Sequence, residues 1–431
     1  MQRIIWNELD REDRRAALAR PPARANDELV ASVRAIVDDV RTRGWDALVE
    51  QSVRIDGQEP REVETAPLAD IARATLDPGQ MAALEMARDN VRHFHEAIIP
   101  SEKFVETQPG LTVGKLWRPL DRAGLYVPGG NAPLFSTLLM LALPAQAAGV
   151  RDLLVCSPPN AEGSINPLIA LAAQLCGIDS VWAIGGAQAI AAMAFGAGEI
   201  AGVDKICGPG NAYVAAAKTY VASLPGGPAI DMPAGPSELL VIAEASASPA
   251  IVAADLLSQA EHDRTAQVLL VTPDGGLASR VELEVQGQLA TLPRADIARD
   301  ALRHARIIVT RSLEEAVDVA NAYAPEHLTL LVDDPDVLVP AINNAGSIFA
   351  GHNASETFGD YLAGSSHVLP TDGAARAWSG ISVYSFMKAI SIQQVSADAV
   401  GAIAPAAAML ARLEGLEAHA RSADVRLGGR S

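Results

Sequence analysis

The residues best able to do chemistry stand in a few short stretches. Glu326 and His327 are adjacent, in Ala-Pro-Glu-His, directly before the apolar run LTLLV. A carboxylate beside an imidazole at the boundary of an element can supply a water activator and a general base. The same pair also fits a surface Glu next to a half-buried His. Gln259 and His262 are three apart in Gln-Ala-Glu-His, on one face of a helix expected over 249–262, with Asp255 a turn earlier. Ser248 is the expected cap of that helix and Pro249 its first residue. An amide oxygen and an imidazole so spaced could hold a divalent metal, but zinc takes three or four ligands and two are not a site. Asp360, in Gly-Asp-Tyr, is a candidate hard ligand, with His367 following in His-Val-Leu-Pro. Glu414 and His419 are five apart and do not share a tight helical face. His93, His95 and His304 sit in polar helical surroundings and His352 in a loop, and none is given a role.

Three Gly-rich turns form a second set: Val127-Pro128-Gly129-Gly130, Ile184-Gly185-Gly186 and Gly208-Pro209-Gly210-Asn211. Each follows an apolar run and opens a helix. Glycine there allows close backbone approach and would leave helix N-terminal N–H groups free for an anion, so that three such turns suit a pyrophosphate or a ribose. The plain alternative is ordinary strand-to-helix turn chemistry. No GxGxxG, GxxxxGK(S/T) or HExxH occurs, so a nucleotide site would be unconventional.

The elements that position these residues follow from periodicity. Helix is expected over 11–50 and most of 60–105, and a strand over 110–118. From Gly124 onward, apolar runs (LLVCSPP, VWAIGG, DKICGPG, LLVIAE, QVLLVTP, RIIVT, LTLLV) alternate with Ala-rich helical runs. Such alternation argues for parallel sheets covered by helices, and there are too many units for one sheet. The expected fold class is α/β: two Rossmann-like parallel-sheet lobes without the GxGxxG fingerprint, plus small helical N-terminal and C-terminal extensions. The Pro- and Gly-rich segment 225–238 reads as the crossing between lobes, and 396–419 as Ala-rich helix without strands.

Composition bounds the partners. The chain has 431 residues and a net charge of -18, spread along its length, so phosphate backbones and anionic membranes are poor partners. The N-terminus has no apolar leader, and no apolar stretch reaches 18 residues, so neither secretion nor a membrane span is expected. Cys156, Cys176 and Cys207 have no CxxC spacing and read as small buried hydrophobes in a reducing cytoplasm.

Taken together, GLYVPGG, IGGAQAIAAMAFG, VDKICGPGNAYV, IDMPAGPSELLVIAE, ADLLSQAEH, NAYAPEHL, GDYLAG and HVLPT resemble the histidinol dehydrogenase family over nearly the whole chain. The resemblance implies four-electron oxidation of L-histidinol to L-histidine via L-histidinal, the last steps of histidine biosynthesis, with two NAD+ and one zinc per subunit. It implies zinc ligands at Gln259, His262, Asp360 and His419, a base at His327 and a water-activating acid/base at Glu326. Substrate contacts are implied at Ser237, Gln259, His262, His327, Asp360, His367, Glu414 and His419, and cofactor contacts at Tyr126, Gln188 and Asn211. It further implies a cytoplasmic homodimer whose C-terminal tail completes the partner's site, so that active sites are shared. The corresponding division is an N-terminal extension (1–25), a first lobe with metal and catalytic residues (26–123 and 239–381), an NAD-side lobe (124–238) and a helical tail (382–431).

The chain departs from the family pattern at Ser366, where Asn is usual, and at Asn353-Ala354-Ser355-Glu356, where Trp-x-Pro-Glu is frequent. Neither departure touches a ligand or the base. Competing readings fit fewer residues. A dehydrogenase of a sulfonated diol has no use for Glu414 and His367, which suit a cationic substrate. A zinc hydrolase leaves the Gly-rich turns without purpose, and a binding protein does not need both Glu326 and His327.

Overall fold

The structure is a computed structural model that describes residues 1–21, 27–129, 134–233 and 235–428. It divides into two compact units, Met1–Ile98 with Leu120–Phe386, and Ile99–Pro119 with Met387–Ser431. Along the chain the strands are β1 (Gln2–Ile5), β2 (Arg61–Glu64), β3 (Lys103–Gln108), β4 (Leu111–Pro119), β5 (Arg122–Tyr126), β6 (Asp152–Ser157), β7 (Ser180–Ala183) and β8 (Lys205–Cys207). They continue with β9 (Ala229–Ile230), β10 (Glu238–Ala243), β11 (Gln267–Thr272), β12 (Arg306–Val309), β13 (His327–Leu331), β14 (Ser347–Ala350) and β15 (Met387–Val395).

The first unit holds two six-stranded sheets. Sheet I has the order β2-β7-β6-β5-β8-β9 and sheet II the order β1-β12-β11-β10-β13-β14. Every pairing in sheet II is parallel, and in sheet I only β2 runs antiparallel to its neighbour. Each sheet starts at a central strand, winds outward one way, then returns to the other side. The order therefore reverses between β5 and β8 and again between β10 and β13, the places where such folds open a crevice. Every residue of β10 and β11 is buried, as strands covered on both faces require. Leu239, Val241, Val268 and Leu270 pack one face of sheet II, and Leu240, Ile242, Leu269 and Val271 the other. The seven apolar runs read as strands beyond Gly124 are all strands, and segment 225–238 leads from β9 in sheet I to β10 in sheet II.

Several boundaries differ from the expectation. β1 lies in the 1–25 extension, yet it pairs with β12 at the edge of sheet II, and Ile4 and Trp6 enter its core. The segment expected in the metal-bearing lobe behaves otherwise at its start. Val33, Ile36, Val37 and Val40 of the Asp27–Arg43 helix share a core with Ile190 and Met193 of the Gly186–Phe195 helix, and β2 joins sheet I. An amphipathic helix carries no address, so its apolar stripe could not say which sheet it covers. The Ser248 hydroxyl makes no cap bond, although Pro249 does open the Pro249–Ala260 helix.

The second unit is a three-stranded antiparallel sheet, β15-β4-β3, with helices Val400–Leu413 and Glu417–Asp424. β3 stands where helix was expected, and the 382–431 tail contains nine-residue β15 as well as helix. Both strands are largely exposed, so they lack the apolar alternation that marks a half-buried strand. All three cysteines are free and buried, and burial raises their thiol pKa values.

Candidate active site

The site forms at the amino ends of β10 and β13. These neighbours are parallel and in register from Leu239 opposite His327, which sets Glu238 beside Glu326. Glu238 holds both candidate catalytic residues through its main chain. Its N–H donates to Glu326 Oε2 at 2.9 Å, and its carbonyl accepts from His327 Nδ1 at 3.1 Å. Its own carboxylate is paired with Arg20 and also accepts from Asp372 N. The Arg20 guanidinium lies over the Tyr323 ring and donates to Tyr323 O. Glu238 was not singled out from the sequence; its one signal is an acid opening the otherwise apolar run ELLVIA.

Around His327 the structure gathers Gln259 from the Pro249–Ala260 helix, His262 from the turn after it, and Glu356 and Asp360 from the Glu356–Tyr361 helix. Nε2 of His327 lies 3.6 Å from Asp360 Oδ1; Nδ1 lies 3.6 Å from Glu326 Oε2 and 3.9 Å from Glu356 Oε1. Gln259 is fully buried. Its carboxamide packs against His327 Nδ1, Glu356 Oε1 and Glu238 O. Ligand atoms of His262, Glu356 and Asp360 all lie within 4.8 Å of one another.

This is a crowd of buried acids. Burial pushes Glu326 up to about 7 and Glu356 up to about 8, against the pull of the His327 charge. Burial alone would lower His327, but Glu326, Glu356 and Asp360 outweigh it and push the imidazole up to about 10. Asp360 is held below the usual carboxylate range: burial would raise it, and the His327 contact more than offsets that. Among the described residues Glu356 Oε2 and His327 Nε2 are buried without a hydrogen-bond partner. Unpaired buried acceptors among several carboxylates are costly, and a divalent cation would relieve both the missing partners and the repulsion. The donor set of imidazole, carboxylate and amide fits zinc. Glu356, noted in the sequence only as a surviving loop residue, belongs to this set.

Ser237 lies immediately before Glu238, half-buried. Both nitrogens of His367 are engaged, Nδ1 with Asp360 O at 3.0 Å and Nε2 with Thr137 Oγ1 at 3.0 Å. His367 thus ties the Asp360 backbone to the Phe135–Ala148 helix. Asp255 accepts from the Ser355 hydroxyl at 3.3 Å, and burial pushes it up to about 6. Ser366 is buried and its hydroxyl accepts from Val368 N at 3.1 Å. His419 lies on the Glu417–Asp424 helix and Glu414 caps the Val400–Leu413 helix, both in the second unit. A second group, Glu244, Asp333 and His352, lies beyond the carboxyl ends of β10, β13 and β14. Its members are partly exposed and already bonded to one another.

The Gly-rich turns are less open than their sequence suggests. Tyr126 ends β5, and its buried hydroxyl accepts from Gly186 N at 3.1 Å. Asp56 accepts from Gly185 N and from Gln188 Nε2, both at 3.0 Å. Gly208 N donates to buried Asp231 at 2.8 Å, and Asp231 forms an ion pair with Lys218. Asn211 caps the Ala212–Ser223 helix, accepting from Tyr213 N and Val214 N. The chain's own side chains therefore occupy amides that a phosphate was expected to use. Of the first turn, Gly130 lies outside the described residues.

Two wound sheets with a buried carboxylate–imidazole pair beside a metal-capable cluster define a class of α/β protein whose candidate site lies at a sheet's amino edge. Comparison with known proteins narrows that class. The histidinol dehydrogenase family model matches residues 19–427, so the chain belongs to the histidinol dehydrogenase family and is a dehydrogenase. A histidinol dehydrogenase of Xanthomonas euvesicatoria pv. vesicatoria is 47% identical over 430 residues, 99% of each chain. One of Photobacterium profundum is 44% identical, covering 99% of this chain and 96% of its own. The crystal structure of histidinol dehydrogenase from Elizabethkingia anophelis superposes with a TM-score of 0.95 at 40% identity, over 99% of this chain and 98% of that one.

Proposed function

We propose that the chain oxidises L-histidinol to L-histidine through L-histidinal, reducing two NAD+ in turn, as the last steps of histidine biosynthesis in the cytoplasm. The observation that carries this reading is the buried Glu326–His327 pair, suspended from the main chain of Glu238. In the first half-reaction a hydride leaves the carbinol carbon for NAD+, and His327 takes the hydroxyl proton; a cation held by the neighbouring ligands would offset the carboxylates that otherwise keep the imidazole protonated. A proton on Nδ1, donated to Glu238 O, directs Nε2 at the substrate. In the second half, water adds to the aldehyde while Glu326 takes its proton, and the hydrate loses a second hydride to a second NAD+. The products are the carboxylate and two NADH.

Gln259, His262 and Asp360 would hold one zinc per subunit. His419 of a second copy in a homodimer would be the fourth ligand, with Glu414 of that copy on the substrate's amino group. Bound zinc supplies a Lewis acid that fixes the substrate's imidazole and amino nitrogens. Ser237 and His367 border the substrate, and Tyr126, Gln188 and Asn211 the cofactor. Holding the aldehyde between two oxidations keeps one bound molecule before the same base. The test is NADH formed per L-histidinol consumed, with and without a chelator. Two per substrate, abolished by chelation and restored by zinc, is expected. One per substrate, or indifference to chelation, rejects the reading.

A further inference from the structure

Asp56 is the last residue of the Trp45–Asp56 helix, where the helix dipole disfavours a carboxylate. Its placement is explained by the other side. Oδ2 accepts from Gly185 N and Gln188 Nε2, at the head of the Gly186–Phe195 helix. Oδ1 makes no hydrogen bond of its own and lies 3.1 Å from where a Cβ on Gly185 would stand. Gln188 is fully buried in the first turn of that helix. Its Nε2 is spent on Asp56, while its Oε1 has no partner and overhangs Gly186, 2.7 Å from where a Cβ would stand. The turn thus offers one buried acceptor without a partner among the described residues, Gln188 Oε1, with the half-exposed, negatively charged Asp56 carboxylate beside it. A buried acceptor without a donor is costly, so the missing group is one that donates. A phosphate brings only acceptors and charge of the same sign. A sugar diol brings two O–H donors.

We propose that Asp56 and Gln188 read the hydroxyls of the cofactor's adenosine ribose, and that the Asp56 carboxylate excludes a phosphate there, so that Asp56 selects NAD+ over NADP+. The inference rests on the proposed placement of the cofactor at these turns. An acid contributed from a helix outside the sheet then does what an acid on a neighbouring strand does in a conventional dinucleotide fold. It also accounts for the filled amides: the pyrophosphate is bound elsewhere.

The experiment measures the dissociation constants of NADH and NADPH by fluorescence titration without substrate, and compares kcat/KM for NAD+ and NADP+ at saturating L-histidinol in the zinc-loaded enzyme; the two ratios should move together. Wild type should prefer NAD+ by about a hundredfold or more, since like charges brought together exclude a wrong partner. Asp56→Asn keeps an oxygen for Gly185 and Gln188 but removes the charge. It should lower the NAD+ to NADP+ preference about tenfold or more, through KM rather than kcat. Asp56→Glu should restore the preference. On wild type, where folding is not in question, NAD+ lacking the adenosine 2′-hydroxyl should lose about tenfold in kcat/KM. Retained NAD+ turnover with an unchanged ratio in Asp56→Asn, or a deoxy cofactor as good as NAD+, would leave Asp56 a mere staple between two helices and overturn the inference alone. No saturable NAD+ turnover by wild type would overturn the proposed function and this inference with it.

Discussion

Sheet I and sheet II share a winding order, yet their candidate functional residues gather at opposite ends. In sheet I the candidate cofactor residues follow the carboxyl ends of strands: Tyr126 closes β5, and Gln188 and Asn211 open helices after β7 and β8. In sheet II the candidate catalytic residues stand at the amino ends, where Glu326 precedes and His327 begins β13, beside Glu238 at the start of β10. The carboxyl edge of sheet II carries Glu244, Asp333 and His352, which bond among themselves. The general rule that ligands bind beyond the carboxyl ends of such strands therefore locates one half of the machinery and not the other. The ends also differ in how charge is handled. At the turns of sheet I each buried acid has hydrogen-bond donors; at the amino edge of sheet II acids crowd one imidazole and leave atoms unpartnered.

That contrast can be broken most directly at His327. His327→Asn should lower kcat by about 10²–10⁴, the range typical of a general base, while zinc measured after dialysis stays bound. Turnover within a few-fold of wild type would move the base elsewhere and dissolve the contrast between the two edges. In sheet I the corresponding blow falls on stability. Lys218 and Asp231 are both almost fully buried, and Lys218→Met strands the Asp231 charge. Unfolding in urea should show a loss of about 3–5 kcal/mol, with kcat of the folded enzyme at saturating NAD+ little changed. A normal unfolding curve with collapsed turnover would mean that this turn takes part in the reaction.

Glu326→Gln sharpens the division within the site. Only the aldehyde half needs an activated water, so oxidation of L-histidinal should fall about 10²-fold, and oxidation of L-histidinol to the aldehyde much less. Equal losses on the two substrates, assayed separately, would assign Glu326 to positioning His327.

The sequence makes the two ends unequally legible. Strands β10, β11 and β13 are plain because burial on both faces demands unbroken apolar runs. β3 and β15 are not, because exposed strands carry mixed residues. Glu326 and His327 stand out as neighbours, and Gln259 and His262 by helical spacing. Joining them to Asp360 took resemblance, since 64 residues separate His262 from Glu326 and 33 separate His327 from Asp360, and tertiary packing rather than local spacing brings them together. Glu238, Glu356 and Asp56 were silent for the same reason: each acts through a partner distant in the chain. The Gly-rich turns are legible as turns, but not in what fills them. Their glycines are real turn requirements, with positive φ at Gly186 and Gly208, but the acids that fill their amides come from Asp56 and Asp231.

The smallest expected effect comes from a second buried histidine. His95 lies on the Pro78–Ala97 helix, wholly inaccessible, and neither ring nitrogen meets a partner among the described residues. Where His327 is ringed by carboxylates and pushed up to about 10, His95 has only burial, which pushes it down to about 4. In the unfolded chain an imidazole titrates near 6.5. Between these values the unfolded chain binds the proton and the folded chain refuses it, so the contribution is intact above about 6.5 and is lost as pH falls towards about 4. From pH 7 to pH 5 this one residue should cost about 2 kcal/mol. His95→Leu removes the titration and two unpartnered nitrogens at little change in size. Its unfolding free energy should therefore exceed that of wild type by more at pH 5 than at pH 7, the difference growing by about 2 kcal/mol. Parallel pH profiles for the two proteins would mean that His95 finds a proton acceptor or water in solution, and the contrast between a ringed and a bare buried histidine would fail.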